Sequence, residues 1–209
     1  MKEIYFITAT NTDVGKTYAS EIFLKKFASL GRKVGYLKPI ETGVDNIPLD
    51  GTKLLNLAKQ LNPNFNLSIN DIVPFQYKLP AAPYVASGTK EIDIKIIFKK
   101  IDYLLKFCDT LIIEGAGGLM VPINLNYFMI DLIKDISPTK TYLITPSNLG
   151  AINDTLLSQN MLQQYNIKYE WFINLYKDKE NFKKVTLPFF NDYFQGNSHL
   201  GFDKIQFLQ

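Results

Sequence analysis

Cysteine is almost missing from this chain of 209 residues: Cys108 stands alone, so no intrachain disulfide can form. A lone thiol fits a reducing compartment, and a cytoplasmic location is the expectation. Histidine is equally scarce. His199 is the only one, and its neighbours Gly196, Asn197 and Ser198 read as a surface loop. One Cys and one His cannot build a Cys/His zinc site without carboxylates, and a Ser-His-Asp triad would have to be built on His199. Arg32 is the only arginine, in a turn (LGRK) between a predicted helix and a predicted strand. That placement argues against an arginine finger and leaves anionic groups to lysines, backbone amides or metal. No apolar run reaches the roughly 18 residues of a membrane span. The apolar stretch in MKEIYFITAT is too short for a signal peptide and reads as a strand. The net charge is +3 with the lysines scattered, so neither nucleic acid nor a membrane is an expected partner.

What is present reads as alternation. Strands are predicted at 3–8, 33–39, 110–115, 140–146 and 169–176, and helices at 16–30, 50–61, 92–107, 128–136 and 151–165. Asp50 is placed as the N-cap of the second helix. A proline-rich passage around Pro63, Pro74, Pro80 and Pro83 reads as loop, and the last thirty or so residues carry no clear pattern. Strands alternating with helices imply an α/β fold, a mostly parallel sheet with helices on both faces. Without a repeat or linker, residues 1–209 read as one domain. Ligands of such sheets bind beyond the carboxyl ends of the strands. That rule gathers Thr8–Thr17, Lys38–Gly43, Glu114–Gly118 and Thr145–Gly150 into one crevice.

The first of these, TATNTDVGKT (8–17), follows a strand and opens a helix, the context a phosphate-binding loop requires. Backbone N–H groups of Asp13, Val14, Gly15, Lys16 and Thr17 would surround anionic oxygens at the helix N-terminus. Lys16 would reach the β- and γ-phosphates and Thr17 would ligate Mg²⁺. The usual first glycine of that pattern is Thr10 here. Glu114 ends an apolar strand before AGG, where a Mg²⁺-nucleotide site wants an acid. Asp50 is a further candidate, since Mg²⁺ prefers hard oxygens. Lys38, in KPIETG, would place a second positive charge beside the γ-phosphate. Each has a plainer reading: a chance helix start, a strand-ending turn, a helix cap and a surface lysine.

TATNTDVGKT, KPIETG, EGAGG and LGAIN, in this order, resemble the dethiobiotin synthetase family over roughly residues 3–175. The resemblance implies a P-loop NTPase-like fold and an ATP-dependent ring-closing ligase that needs Mg²⁺. It also implies 7,8-diaminopelargonate, CO₂ or bicarbonate and a nucleoside triphosphate as substrates. In that family pattern Lys16 and Lys38 are catalytic. Asp13 to Thr17, Tyr18, Asp50, Glu114, Gly115, Ala116, Gly117 and Asn174 hold the nucleotide, and Thr17, Asp50 and Glu114 the metal. Thr12, Lys38, Thr42 and Gly118 contact the substrate. Gly150, Ala151, Ile152 and Asn153 would receive its far carboxylate from a second subunit, which implies a homodimer. The family loop has a glycine at Ala9, and its longer tail is matched here only by LGFD (200–203), so the base preference is open. Two other readings stay open: another P-loop ATP-dependent synthetase, and a partitioning-type ATPase switch that dimerises on DNA or membrane. The loop lacks the early lysine of the latter.

Overall fold

Buried parallel strands are apolar along their whole length, because helices cover both faces of their sheet. Two stretches of this chain fit that description. In the computed structural model, which describes residues 2–176, 179–196 and 205–208 (backbone alone for 195 and 196), they are adjacent central strands. These are β1 (Glu3–Ala9) and β5 (Thr110–Glu114). Between them along the chain come α1 (Lys16–Ser29), β2 (Val34–Leu37), β3 (Ile40–Thr42), α2 (Leu49–Leu61) and α3 (Ile69–Ile72). Then follow β4 (Phe75–Tyr77), α4 (Pro83–Ala86) and α5 (Ile94–Leu104). After β5 come a hairpin of β6 (Pro122–Asn124) and β7 (Tyr127–Phe128), α6 (Met129–Ile136), β8 (Lys140–Pro146), α7 (Ala151–Gln164) and β9 (Tyr169–Asn174). The C-terminal section holds α8 (Lys179–Asn181), a π-helical turn at 182–186, α9 (Leu187–Gly196) and β10 (Gln206–Phe207).

The main sheet runs β10-β9-β8-β1-β5-β2, with every pair parallel. Successive side chains of β9 point to opposite faces and show that both faces are covered. Trp171 meets Phe190 and Phe194 of α9, while Phe172 meets Phe23 of α1. The face under α1 is an aromatic stack: Phe23 lies 4.2 Å from Tyr142 and Phe27 lies 4.4 Å from Tyr5, centroid to centroid.

The predicted elements all appear: strand 140–146 keeps its bounds, β1 and α2 each gain a residue, and the others are trimmed at their ends. Helix 92–107 shrinks to Ile94–Leu104 because Asp93 caps it, accepting from the Lys95 N–H, and Ile97, Ile101 and Leu104 form its buried stripe. The proline-rich passage is not all loop. It contains α3, α4 and a parallel pair in which Ile40 to Thr42 align with Phe75 to Tyr77. Asp50 is not the cap of its helix. Pro48 holds that position, and the carboxylate of Glu41, on β3, accepts from the Asp50 and Gly51 N–H groups at 3.1 and 2.9 Å. A cap supplied from another strand leaves the Asp50 side chain free to face elsewhere.

Candidate active site

Beyond the carboxyl ends of β1, β2 and β5 lies a cleft of about 1070 Å³. The connection leaving β1 crosses to β2 and the connection leaving β8 crosses the other way, so the sheet opens beside β1, as such folds do at their ligand sites. The loop after β1 supplies Thr12, Asp13, Gly15, Lys16, Thr17 and Tyr18 to the lining, and the segment after β2 supplies Lys38 and Thr42. Asp50, Glu114, Gly115, Ala116, Gly117 and Asn174 complete the residues expected from sequence. Six expected residues lie outside it. Val14 is buried within the loop and Gly118 is buried against it, and Gly150, Ala151, Ile152 and Asn153, at the start of α7, do not line the cleft. The Thr145–Gly150 strand end therefore does not join this crevice; the end of β9, with Asn174 and Tyr176, does. Ile40 and Glu41 line it as part of the Lys38–Gly43 strand end expected there, whereas Pro80 and Val121 line it without any signal in the sequence. His199 and the LGFD segment lie outside the described residues.

The chemistry centres on Glu114, which has no solvent exposure. One of its oxygens accepts from Thr17 Oγ1 at 2.9 Å and from Lys38 Nζ at 3.1 Å. The other accepts from Ser20 Oγ at 2.8 Å and from Tyr36 OH at 2.9 Å. Ser20 and Tyr36 went unnoticed in the sequence, yet a signal existed. Ser20 is three residues beyond Thr17, on the same helix face, and Tyr36 is two before Lys38, on the same side of the extended chain. Burial, then the Glu114 carboxylate, push the Tyr36 hydroxyl well above its ordinary pKa, so it remains a donor.

Two lysines face this carboxylate in different states. Lys38 is buried, and its ammonium bridges Glu114 and Asp50. Burial pulls its pKa down, but the carboxylates of Glu114, Asp50 and Glu41 outweigh burial and hold it above the ordinary lysine value. Lys16 is nearly as buried, but among the described residues its Nζ donates only to the Asn11 carbonyl, at 3.0 Å. Burial lowers its pKa to about 8, opposed by Glu114 and assisted by Lys38. Lys16 is thus a poorly compensated charge at the mouth of an anion-binding loop.

The loop is held from both sides. Asn174 Nδ2 donates to the Val14 carbonyl at 2.9 Å. Gly118 presses on the other side, where an added Cβ would lie 2.7 Å from the Thr10 carbonyl oxygen. Ala9 is a buried β1 residue paired with Ile144, so its methyl group sits in regular strand geometry. The close backbone approach in this region falls on Gly118 instead.

The donor set also fits a hard cation. Thr17 Oγ1, Glu114 and Asp50 all converge on the Lys38 ammonium or its acceptor, so a positive charge is already accommodated among these oxygens. Among the described residues no group of three or more His, Cys, Asp or Glu could hold a metal without help. Magnesium suits such a half-built site, because it keeps waters and takes substrate phosphate oxygens for its remaining positions.

A strand, a phosphate loop, a helix and an acid on the adjacent parallel strand define the P-loop nucleoside triphosphatase class. Residues 3–181 match the family model described as an AAA domain. The chain is 48% identical over 190 residues to the ATP-dependent dethiobiotin synthetase BioD of Sulfurovum sp. (strain NBC37-1), covering 90% of each. It is 38% identical over 191 residues to the ATP-dependent dethiobiotin synthetase BioD of Wolinella succinogenes, covering 90% of this chain and 88% of that one. The chain belongs to the dethiobiotin synthetase family. Among solved structures, a plasmid partition protein from Borrelia burgdorferi aligns with a TM-score of 0.58 over 99% of this chain and 88% of that one. At 14% identity that likeness is one of fold alone.

Proposed function

We propose that this protein carries out the ATP-dependent synthesis of dethiobiotin from 7,8-diaminopelargonate and CO₂, with the cleft as its active site. One substrate amine takes up CO₂ as a carbamate and releases a proton. A carbamate oxygen then attacks the γ-phosphorus of ATP, ADP departs, and a carbamic–phosphoric anhydride results. The second amine attacks the carbonyl carbon, the C–O bond to phosphate breaks, and the ureido ring closes. None of these steps calls for a thiol, an imidazole or a redox group. They call for positive charge around the carbamate and γ-phosphate, and for placement.

This chain's residues are suited to those demands. Lys16 meets the transferring phosphoryl group, with the loop amides from Asp13 to Tyr18 around the phosphates. Lys38 holds the carbamate, and Thr12 and Thr42 orient the diamine end. Thr17, Asp50 and Glu114 are the residues that would hold Mg²⁺, which when bound supplies charge neutralisation at the β- and γ-phosphate oxygens. The observation that carries this reading is the convergence of Lys16, Lys38, Thr17, Asp50 and Glu114 at three adjacent strand ends.

The open N-terminus of α7 lies outside the cleft, which suits a homodimer in which the partner's helix receives the substrate's far carboxylate. No helix among the described residues is long and apolar enough to cross a membrane, and we assign the chain to the cytoplasm as a single P-loop synthetase domain. The test is an omission assay on purified protein: ring product should require diaminopelargonate, bicarbonate, Mg²⁺ and triphosphate together. Product formed without triphosphate would overturn the reading.

A further inference from the structure

Asp50 reaches Lys38 only if the first turn of α2 is fixed at the cleft, and α2 has no side-chain cap of its own: its N-cap is Pro48. The turn is instead held by Glu41. This buried carboxylate accepts from the Asp50 N–H at 3.1 Å and from the Gly51 N–H at 2.9 Å. The seat is closely fitted. A Cβ at Gly51 would lie 2.3 Å from Val73 Cγ2 and 3.2 Å from Glu41 Oε2, so only glycine lets the helix start rest against both. Glu41 also lines the cleft between Ile40 and Thr42, beside Lys38.

We propose that Glu41 is a positioning residue for the metal site: by capping α2 from β3, it sets where the Asp50 carboxylate stands relative to Lys38, Thr17 and Glu114. The inference rests on the reading of Asp50 as a Mg²⁺ ligand. A negative charge at a helix N-terminus is favourable in itself. Here it also ties two cleft segments together, β3 with Thr42 and α2 with Asp50. Groups that orient metal ligands without touching the metal typically change affinity by about 10–100-fold when removed.

The test is Mg²⁺ titration of nucleotide binding, read with a fluorescent ATP analogue on the purified full chain, for the parent, Glu41→Gln and Glu41→Ala. Glu41→Gln keeps the shape but turns one acceptor into a donor facing a backbone N–H. The expected result is a rise of about tenfold or more in the half-saturating Mg²⁺ concentration. Binding of the analogue in EDTA, which depends on Lys16 and the loop amides, should stay within about twofold of the parent. A purely structural role would move both readouts together, and that outcome overturns the proposal. So does unchanged Mg²⁺ dependence in both variants. A parent that binds the analogue with no Mg²⁺ dependence overturns the metal reading, and this proposal with it.

Discussion

Replacing Lys38 by methionine tests the electrostatics of the cleft apart from its chemistry. The methionine stem can fill much of the space of the lysine stem, so the change is mainly a lost charge. What it leaves behind is Glu114, a carboxylate with no solvent exposure. Removing one partner of a buried ion pair costs about 3–5 kcal/mol, because the other charge remains buried without compensation. Two structural facts place this site at the lower end. Glu114 keeps three hydroxyl donors, Thr17, Ser20 and Tyr36, all within 2.9 Å. The Asp50 side chain is 46% exposed, so its share of the Lys38 interaction is screened and counts for little. The expected loss is about 3 kcal/mol. For a chain of this size that corresponds to about 6–12 °C in melting temperature.

The assay is thermal unfolding by circular dichroism in EDTA, so that no metal replaces the lost charge. Mg²⁺ without nucleotide should then raise the melting temperature of Lys38→Met more than that of the parent, because the variant has two carboxylates in want of a cation. A variant that melts within about 2 °C of the parent in EDTA would refute the reasoning. It would mean that the hydroxyl donors alone satisfy Glu114. In the ring-forming assay the same variant should lose on the order of a hundredfold or more in rate, the usual loss for a preorganised charge donor.

Lys16 predicts a pH dependence. Burial holds its pKa near 8 in the free protein, and bound phosphates favour the charged form, so binding above that pH must take up a proton. Nucleotide affinity should be flat below pH 8 and fall by up to about tenfold per unit above it, with proton uptake measurable by calorimetry in buffers of different ionisation enthalpy. Affinity that stays flat to pH 9.5 would remove Lys16 as the origin. Gly118→Ala should push the Thr10 carbonyl and with it the phosphate loop, at about 1–3 kcal/mol in stability and a measurable loss of nucleotide affinity. Parent-like binding by calorimetry would show that the loop does not rest on Gly118. Burial, and secondarily Asp109, push the Cys108 thiol up to about 12, so a disulfide reagent at pH 8 should label it only on unfolding.

Local signals were the ones readable in the sequence. The strand, loop and helix from Glu3 to Ser29 are contiguous, and their apolar spacing and G-K-T ending specify both structure and candidate role. Glu114 was readable because its strand is a continuous apolar run ended by an acid. Other features depend on contacts far apart in sequence. Glu41 lies nine and ten residues before the amides it caps, and β3 and β4 are three residues each, too short for a period to register. Asp50 therefore looked like the cap, since nothing local revealed that a neighbouring strand provides it. The tie from Asn174 to Val14 spans 160 residues, and only the sheet order brings β9 to the loop.

The contrast between the two lysines follows from the scarcity of arginine. With one arginine, paired with Glu3 and Asp109 at the opposite end of β1 from the loop, the cleft must manage phosphate charge with lysine among its side chains. Lysine can be tuned by its surroundings in a way that arginine cannot. Lys38 is given three carboxylate neighbours, stays charged, and is held in one place before any ligand arrives. Lys16 is buried at the loop with one backbone carbonyl as its acceptor, so its charge is least satisfied in the free protein and most satisfied when phosphate oxygens reach it. One lysine is thereby preorganised and the other made dependent on ligand. A single buried glutamate serves both, since Glu114 is the largest stabilising charge on each. Replacing Glu114 should therefore disturb the protonation of both lysines and the position of Lys38 at once, whereas Lys16 keeps its hydrogen bond to the Asn11 carbonyl.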